Sequence, residues 1–236
     1  MNIISHKLER RFRQRKGRGI GGGRGGRGGR GGGTLDGDRI EPSPQHHEEN
    51  KDVKNTTYLV FDLETNGIGS FRPPTQTITQ LAFIKFTSTG EILDQYSAIL
   101  KGATQIKEHP SVTISLDQIN KEGIDPKIAI NRFLNSIEED VVLCSHNYEF
   151  DKGLLMNHIH NWPTNLYICT MKLSTNFCKL PKIGPASKYP GYKYPSLLEL
   201  SKKLKVKSDE TKFHDALYDC YITKDCILNG IQSNLW

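Results

Sequence analysis

From about residue 57 onward, apolar positions alternate between two spacings, one close to two residues and one close to 3.6. Tyr58-Leu59-Val60-Phe61, carried on to Leu63, is an aromatic and β-branched run. It predicts a strand over 57–64, ended by the turn-forming pair Asn66-Gly67. Thr77 to Phe86 predicts a second strand and Glu91 to Leu100 a third. The turn Ser88-Thr89-Gly90 between them makes an antiparallel hairpin. Pro126, suited to a first helical turn, opens a helix to about Glu138 that turns Ile128, Phe133, Leu134 and Ile137 toward a core. Val141 to Cys144 is a short buried strand. A helix follows from Tyr148 to about His160 with Phe150, Leu154, Leu155 and Ile159 on its apolar stripe, and Leu166 to Thr170 is a further strand. Pro181 to Pro195 holds four prolines, two glycines and three tyrosines and reads as a long loop. Ser196-Leu197-Leu198-Glu199 is a capping-box signature for a helix to about Leu204, and the last helix runs from near Asp215 to about Asn229. The order of elements predicts an α/β fold. Its mixed central sheet has three antiparallel strands and then two further strands, flanked by helices.

Ahead of this pattern, residues 17–33 hold twelve glycines, four arginines and Ile20. Such a stretch has the largest backbone entropy to lose and no side chains to pack, so it is expected to be disordered. Of 236 residues, 36% are hydrophobic, which fits a chain of which part does not fold. The expected organisation is therefore a basic Gly/Arg-rich tail and polar linker over 1–54, where His46 and His47 read as solvated, and a folded domain over 55–236. The net charge of +6 divides in the same way. Residues 1–33 carry ten Lys/Arg against one acid, +9, and residues 34–236 carry 22 against 25, −3. A tail of this kind suits a polyanion, whereas the domain does not hold nucleic acid by bulk charge. The spacing of Arg24, Arg27 and Arg30 resembles the RGG repeats of RNA-binding proteins, where arginine contacts phosphate and stacks on bases. A flexible linker is the competing reading, but a linker has no need of regularly spaced arginines. Residues 1–16 are compatible with a short basic helix, a nuclear-import patch or a nucleic-acid contact.

Five cysteines, an odd number without a C-x-x-C pair, read as reduced and mostly buried thiols of an intracellular protein of cytoplasm or nucleus. No apolar run approaches the ~18–20 residues of a membrane span. The N-terminus lacks the apolar segment of a secretory signal; the Arg-rich start leaves an organelle transit peptide as a minor option.

The chemistry begins at the end of the first strand. Asp62 and Glu64 are two residues apart, so both project from one face while Leu63 points into the core. Paired carboxylates repel unless a cation lies between them, and hard divalent cations take oxygen ligands. Taken alone, the pair is better read as two solvated acids. Asp151 falls in the first turn of a helix, where a capping acid is the ordinary explanation. His214 and Asp219 are about 140° out of phase on an ideal helix, so they share a site only if His214 lies on the loop before it.

Together these residues change the reading. Phe61-Asp62-x-Glu64-Thr65-x-Gly67, His146-Asn147-x-x-Phe150-Asp151 and His214-x-x-x-x-Asp219, in that order, resemble the DEDDh branch of the DnaQ-like 3′→5′ exonucleases over about 60–235. Gly123-Ile124 and the helix opened by Ser196 are also similar to that family's pattern. The resemblance implies an RNase H-like fold, two Mg²⁺ or Mn²⁺ ions held by Asp62, Glu64, Asp151 and Asp219, and His214 as general base. It also implies that Asn147 and the backbone around Leu63 and Thr65 face the terminal nucleotide. The implied reaction is metal-dependent removal of nucleoside 5′-monophosphates from single-stranded or frayed 3′ ends of DNA or RNA. The tail tilts the reading toward RNA. The first motif ends Thr65-Asn66-Gly67 where many members have Thr-Thr-Gly, with no effect expected on metal binding. Two rival readings are a non-catalytic nucleic-acid-binding protein that kept the fold and an exonuclease subunit tethered to a polymerase or ribonucleoprotein assembly.

Overall fold

The computed structural model describes residues 56–67 and 76–235. The expected disorder of the tail, the linker and the contacts of Arg24, Arg27 and Arg30 lie outside the described residues. The sheet is built around β1 (Thr57–Thr65). It pairs antiparallel with β2 (Ile78–Thr87), which pairs antiparallel with β3 (Ile92–Ile99). On its other edge β1 runs parallel to β4 (Val142–Ser145), and β4 parallel to β5 (Tyr167–Cys169), giving the order β3-β2-β1-β4-β5. The β2–β3 hairpin closes at Gly90, whose φ of +92° favours glycine. A parallel β1–β4 pair requires a crossover, which holds α1 (Leu116–Glu122) and α2 (Pro126–Asn135). Helix α3 (Tyr148–Leu155) joins β4 to β5; α4 (Thr170–Cys178), α5 (Leu197–Leu204) and α6 (Ala216–Gln232) follow.

The period of two along β1 sorts its residues between two cores. Leu59, Phe61 and Leu63 pack with Phe83, Phe133, Tyr148 and Leu154 on one face. Tyr58 and Val60 pack with Ile84, Phe86 and, from α6, Ala216, Cys220 and Ile227 on the other. Burial of a side chain such as Phe133 is worth about 2–3 kcal/mol, and its ring also tilts against those of Phe61 and Phe83. Asp62 and Glu64 share the parity of Val60, so they emerge on the α6 side of the sheet, where that helix begins.

Several boundaries differ from those expected. Helix α3 stops at Leu155, not His160: Asn157 N–H bonds Leu154 O at 3.2 Å and His158 N–H bonds Leu155 O at 2.9 Å, so the chain tightens into turns while Ile159 still reaches the core. Helix α2 stops at Asn135, where the Ser136 hydroxyl bonds Phe133 O at 2.6 Å and competes with the helical ladder. Two helices were not anticipated. Helix α1 is opened by a Ser115–Gln118 capping box but buries only Ile119, so it carries almost no apolar period. Helix α4 starts at Thr170, where the fifth strand was expected to end. It buries Thr170, Ser174 and Cys178, with the hydroxyls of Ser174 and Thr175 bonded back to Thr170 O and Met171 O at 2.7 and 2.8 Å. All five cysteines are free and buried. Among the described residues no helix is long and apolar enough to cross a membrane.

Candidate active site

The C-terminal end of β1 is where the structure gathers the acids. The register with β2 shifts between Glu64 and Thr65, so the strand leaves the sheet there. Asn66 fixes the exit: its Oδ1 accepts from Thr77 N–H at 2.9 Å and its Nδ2 donates to Gln105 O at 3.2 Å. Asparagine at this place in the first motif thus serves the backbone. Asp151 projects from the first turn of α3 and is 2% exposed. Its carboxylate accepts from the Ser145 hydroxyl and from the Leu63 N–H.

Asp219 lies in the first turn of α6. Its Oδ2 accepts from His214 N–H at 3.3 Å, and its Oδ1 is buried with no hydrogen-bond partner. His214 is on the loop before the helix, with Asp215 as N-cap bonded to Tyr218 N–H at 2.8 Å. His214 has φ +70°, a left-handed conformation that costs a non-glycine residue of order 1–3 kcal/mol. The turn is held by Thr113, whose hydroxyl donates to His214 O at 2.5 Å. It brings a ring nitrogen of His214 and carboxylate oxygens of Glu64 and Asp219 within 4.8 Å of one another.

Gln80, opposite Glu64 in the β1–β2 register, anchors the start of α6 to the sheet. Its Nε2 donates to Asp215 Oδ2 and to Ser97 Oγ, both at 3.1 Å, and its Oε1 accepts from Ala216 N–H at 3.1 Å.

Crowding of the acids shows in their proton affinities. Burial, then the charges of Asp151, Asp219, Glu64 and Asp215, push Asp62 well above the usual carboxylate range. Burial and the neighbouring aspartates push Glu64 up to about 8. Burial pushes Asp151 and Asp219 up to about 7, partly offset by the Ser145 hydroxyl in one case and the His214 N–H in the other. His214 is held below the ordinary imidazole value, first by burial and then by the nearby His109, which favours the neutral ring. Acids buried this closely fit divalent cations: they offer hard oxygen donors, and the unpartnered Asp219 Oδ1 leaves a buried acceptor to be satisfied.

Asp62, Glu64, Asp151, Asp219 and His214 therefore arrive at one end of the sheet, from three separate stretches of chain. Leu63 sends its side chain into the core and its N–H to Asp151. Thr65 is buried with its hydroxyl 3.3 Å from Gly67 O. Asn147 is exposed at the start of α3, making no capping bond with its side chain. Sequence reasoning missed Ser145 and Gln80; the second had a signal, a polar residue inside the apolar run Ile78–Phe86. It also missed the part played by His146. Pro195 O can only accept, so His146 Nε2–H donates to it at 3.0 Å, which leaves Nδ1 to accept from the Thr170 hydroxyl at 2.9 Å. Burial lowers this imidazole to about 4, so it is neutral near pH 7.

The chain matches the family model described as Exonuclease over residues 59–226. It is 26% identical over 176 residues to the PolC-type DNA polymerase III of Streptococcus pyogenes serotype M18, covering 73% of this chain and 11% of that protein. Similarity to the Streptococcus mutans PolC-type polymerase is 25% over 182 residues, again 11% of its length. Among solved structures, Escherichia coli exonuclease I in complex with a dA16 oligonucleotide superposes with TM-score 0.58 at 17% identity, covering 76% of this chain and 42% of that one. The nuclease domain of 3′hExo, a DEDDh family member bound to rAMP, also gives 0.58, at 16% identity over 78% and 96% of the two chains.

Proposed function

The chain belongs to the DnaQ-like exonuclease family of the RNase H-like superfamily, and from that premise we propose that it is a DEDDh-type 3′→5′ exonuclease. It would release nucleoside 5′-monophosphates from single-stranded or frayed 3′ ends. One observation carries the reading: the group of Glu64, His214 and Asp219 at one sheet end, with a buried carboxylate oxygen left unpartnered. Asp62, Glu64, Asp151 and Asp219 would hold two Mg²⁺ or Mn²⁺ ions. When bound, such ions supply Lewis-acid stabilisation of charge on the phosphoryl oxygens and a water of lowered pKa. The protein's own part follows from its geometry. Neutral His214 takes a proton from the attacking water near neutral pH. Its left-handed turn and its N–H bond to Asp219 hold the ring over the acids. Ser145 and the Leu63 N–H orient Asp151. Asn147, exposed at the start of α3, would meet the terminal nucleotide.

The test is incubation of the purified protein and Mg²⁺ with 3′-labelled single-stranded DNA and RNA in parallel. Labelled mononucleotide is expected as the first product, and loss of all cleavage in chelator. Asp62→Ala should abolish cleavage. His214→Ala should slow it about 10²–10⁴-fold while leaving metal binding largely intact. Wild-type turnover in His214→Ala would contradict the assignment of the base. Deletion of residues 1–33 should weaken binding and its salt dependence without harming turnover. The PolC-type relatives favour a second reading, proofreading beside a polymerase; faster removal of mismatched than of paired primer termini is its signature.

A further inference from the structure

The lysines of the folded part are unevenly placed. Residues 179–207 contain eight lysines and one acid, Glu199, a net +7. The rest of the domain, 55–236, keeps 11 Lys/Arg against 18 Asp/Glu, a net −7. The zero net charge of the domain thus conceals a basic lobe, made of the loop after α4 together with α5 and its C-terminal extension. Lys193 pairs with Glu199 and Lys202 with Glu210, both at 2.6 Å. Lys179 and Lys188 make no ion pair among the described residues.

Aromatic rings stand among these lysines. Tyr189, Tyr192 and Tyr194 are 71%, 41% and 57% exposed. Among the described residues, none of the three stacks on another ring. Leaving three large rings in water on one loop marks a contact surface. The loop is also built to hold a shape. Lys193 N–H bonds Leu180 O at 2.9 Å across its base, a 3₁₀ turn spans Gly184–Lys188, and four prolines stiffen it. Its C-terminal end is fixed beside the acids. Pro195 O accepts from His146, and the preceding Ser145 bonds Asp151.

We propose that this lysine–tyrosine surface is the track for the single strand upstream of the 3′ end, a step that rests on the exonuclease reading of the site. The pattern Lys188-Tyr189 and Tyr192-Lys193-Tyr194 sets a flat ring beside a cation. That is what a strand of alternating bases and phosphates requires, since every base has a π face and every linkage a charge. An acidic protein would need the cations but not the rings.

Binding of a 5′-labelled oligonucleotide of about 12 nucleotides, within the usual footprint of such surfaces, is measured by fluorescence anisotropy on the full chain in EDTA. The combined variant Tyr189→Ala/Tyr192→Ala/Tyr194→Ala is expected to bind about 10–100-fold more weakly, as for loss of one or two stacked bases. Lys179→Ala/Lys188→Ala is expected to lower the slope of log affinity against log salt by about 1.4. Hydrolysis of the nitrophenyl ester of thymidine 5′-monophosphate, which has no upstream strand, is expected to persist in both variants. Unchanged oligonucleotide affinity in both overturns the proposal. So does displacement of the oligonucleotide by polyglutamate that is indifferent to the tyrosines, which would assign the lobe to acidic proteins. Failure of the wild type to cleave ester or oligonucleotide with Mg²⁺ or Mn²⁺ would instead sink the exonuclease reading, a result independent of the binding data in EDTA.

Discussion

Asp219→Asn should move stability and activity in opposite directions. The carboxyl of Asp219 titrates at about 7, against an ordinary value of 3.8, because it is buried. At ~1.4 kcal/mol per tenfold, holding it ionised in the metal-free fold above that pH costs about 4 kcal/mol. The sign follows from proton counting. Between about pH 4 and 7 the folded protein keeps a proton that the unfolded chain has lost, so metal-free stability falls as pH rises through that window. Neighbouring acids share the proton, so one substitution should recover about half the cost, about 2 kcal/mol. Asparagine can keep an oxygen for the His214 N–H and put an amide where Oδ1 now has no partner. At about pH 8 in EDTA the variant should therefore melt about 4–8 °C above the wild type. At about pH 4 the two should converge. Saturating Mn²⁺ should raise the wild-type melting temperature, by the equivalent of about 3 kcal/mol at a hundredfold excess over Kd, and the variant's far less. Cleavage should drop by about three orders of magnitude or more, since several kcal/mol of charge stabilisation is lost. Thermal melts at the two pH values, with and without Mn²⁺, check all of this. A variant less stable than wild type at pH 8 in EDTA, or one that gains as much from Mn²⁺, would refute the reasoning.

Three further predictions follow from the same geometry. Gln80→Leu removes the bonds that seat the first turn of α6, and should cost about 1–3 kcal/mol in urea unfolding; it should lower kcat more than it changes KM, because His214 and Asp219 flank that turn. His146 is neutral with a value of about 4, so its contribution is present above about pH 6.5 and is lost as pH falls toward 4; the stability gap between wild type and His146→Gln should shrink by about 2 kcal/mol across that window, after a discount for partial exposure. Phe133→Ala, emptying the middle of the aromatic core, should cost about 3–5 kcal/mol with the m-value unchanged.

The sheet was legible because β1 to β3 are dense in β-branched and aromatic residues and are separated by a glycine turn. The acids were legible because each ends or begins an element with a strong pattern. Helices α1 and α4 were not, because they bury threonine, serine, cysteine and a single isoleucine in place of an apolar stripe. Gln80 escaped notice because the two partners that tie it to the site, Asp215 and Ala216, are 135 and 136 residues away, a proximity that only the folded α6 creates. The charge of the domain misled as a sum: +7 on residues 179–207 and −7 on the rest of 55–236 read as zero.

The parity of β1 has a consequence for how this chain tolerates change. Tyr58 to Leu63 alternate between two cores, and swapping one apolar residue for another there alters packing by a few kcal/mol at most. Deleting any one of Tyr58 to Phe61 would turn Asp62 and Glu64 through half a rotation, into the layer of phenylalanines, and bring an aliphatic chain to face His214. Length, more than composition, is what this strand has to keep.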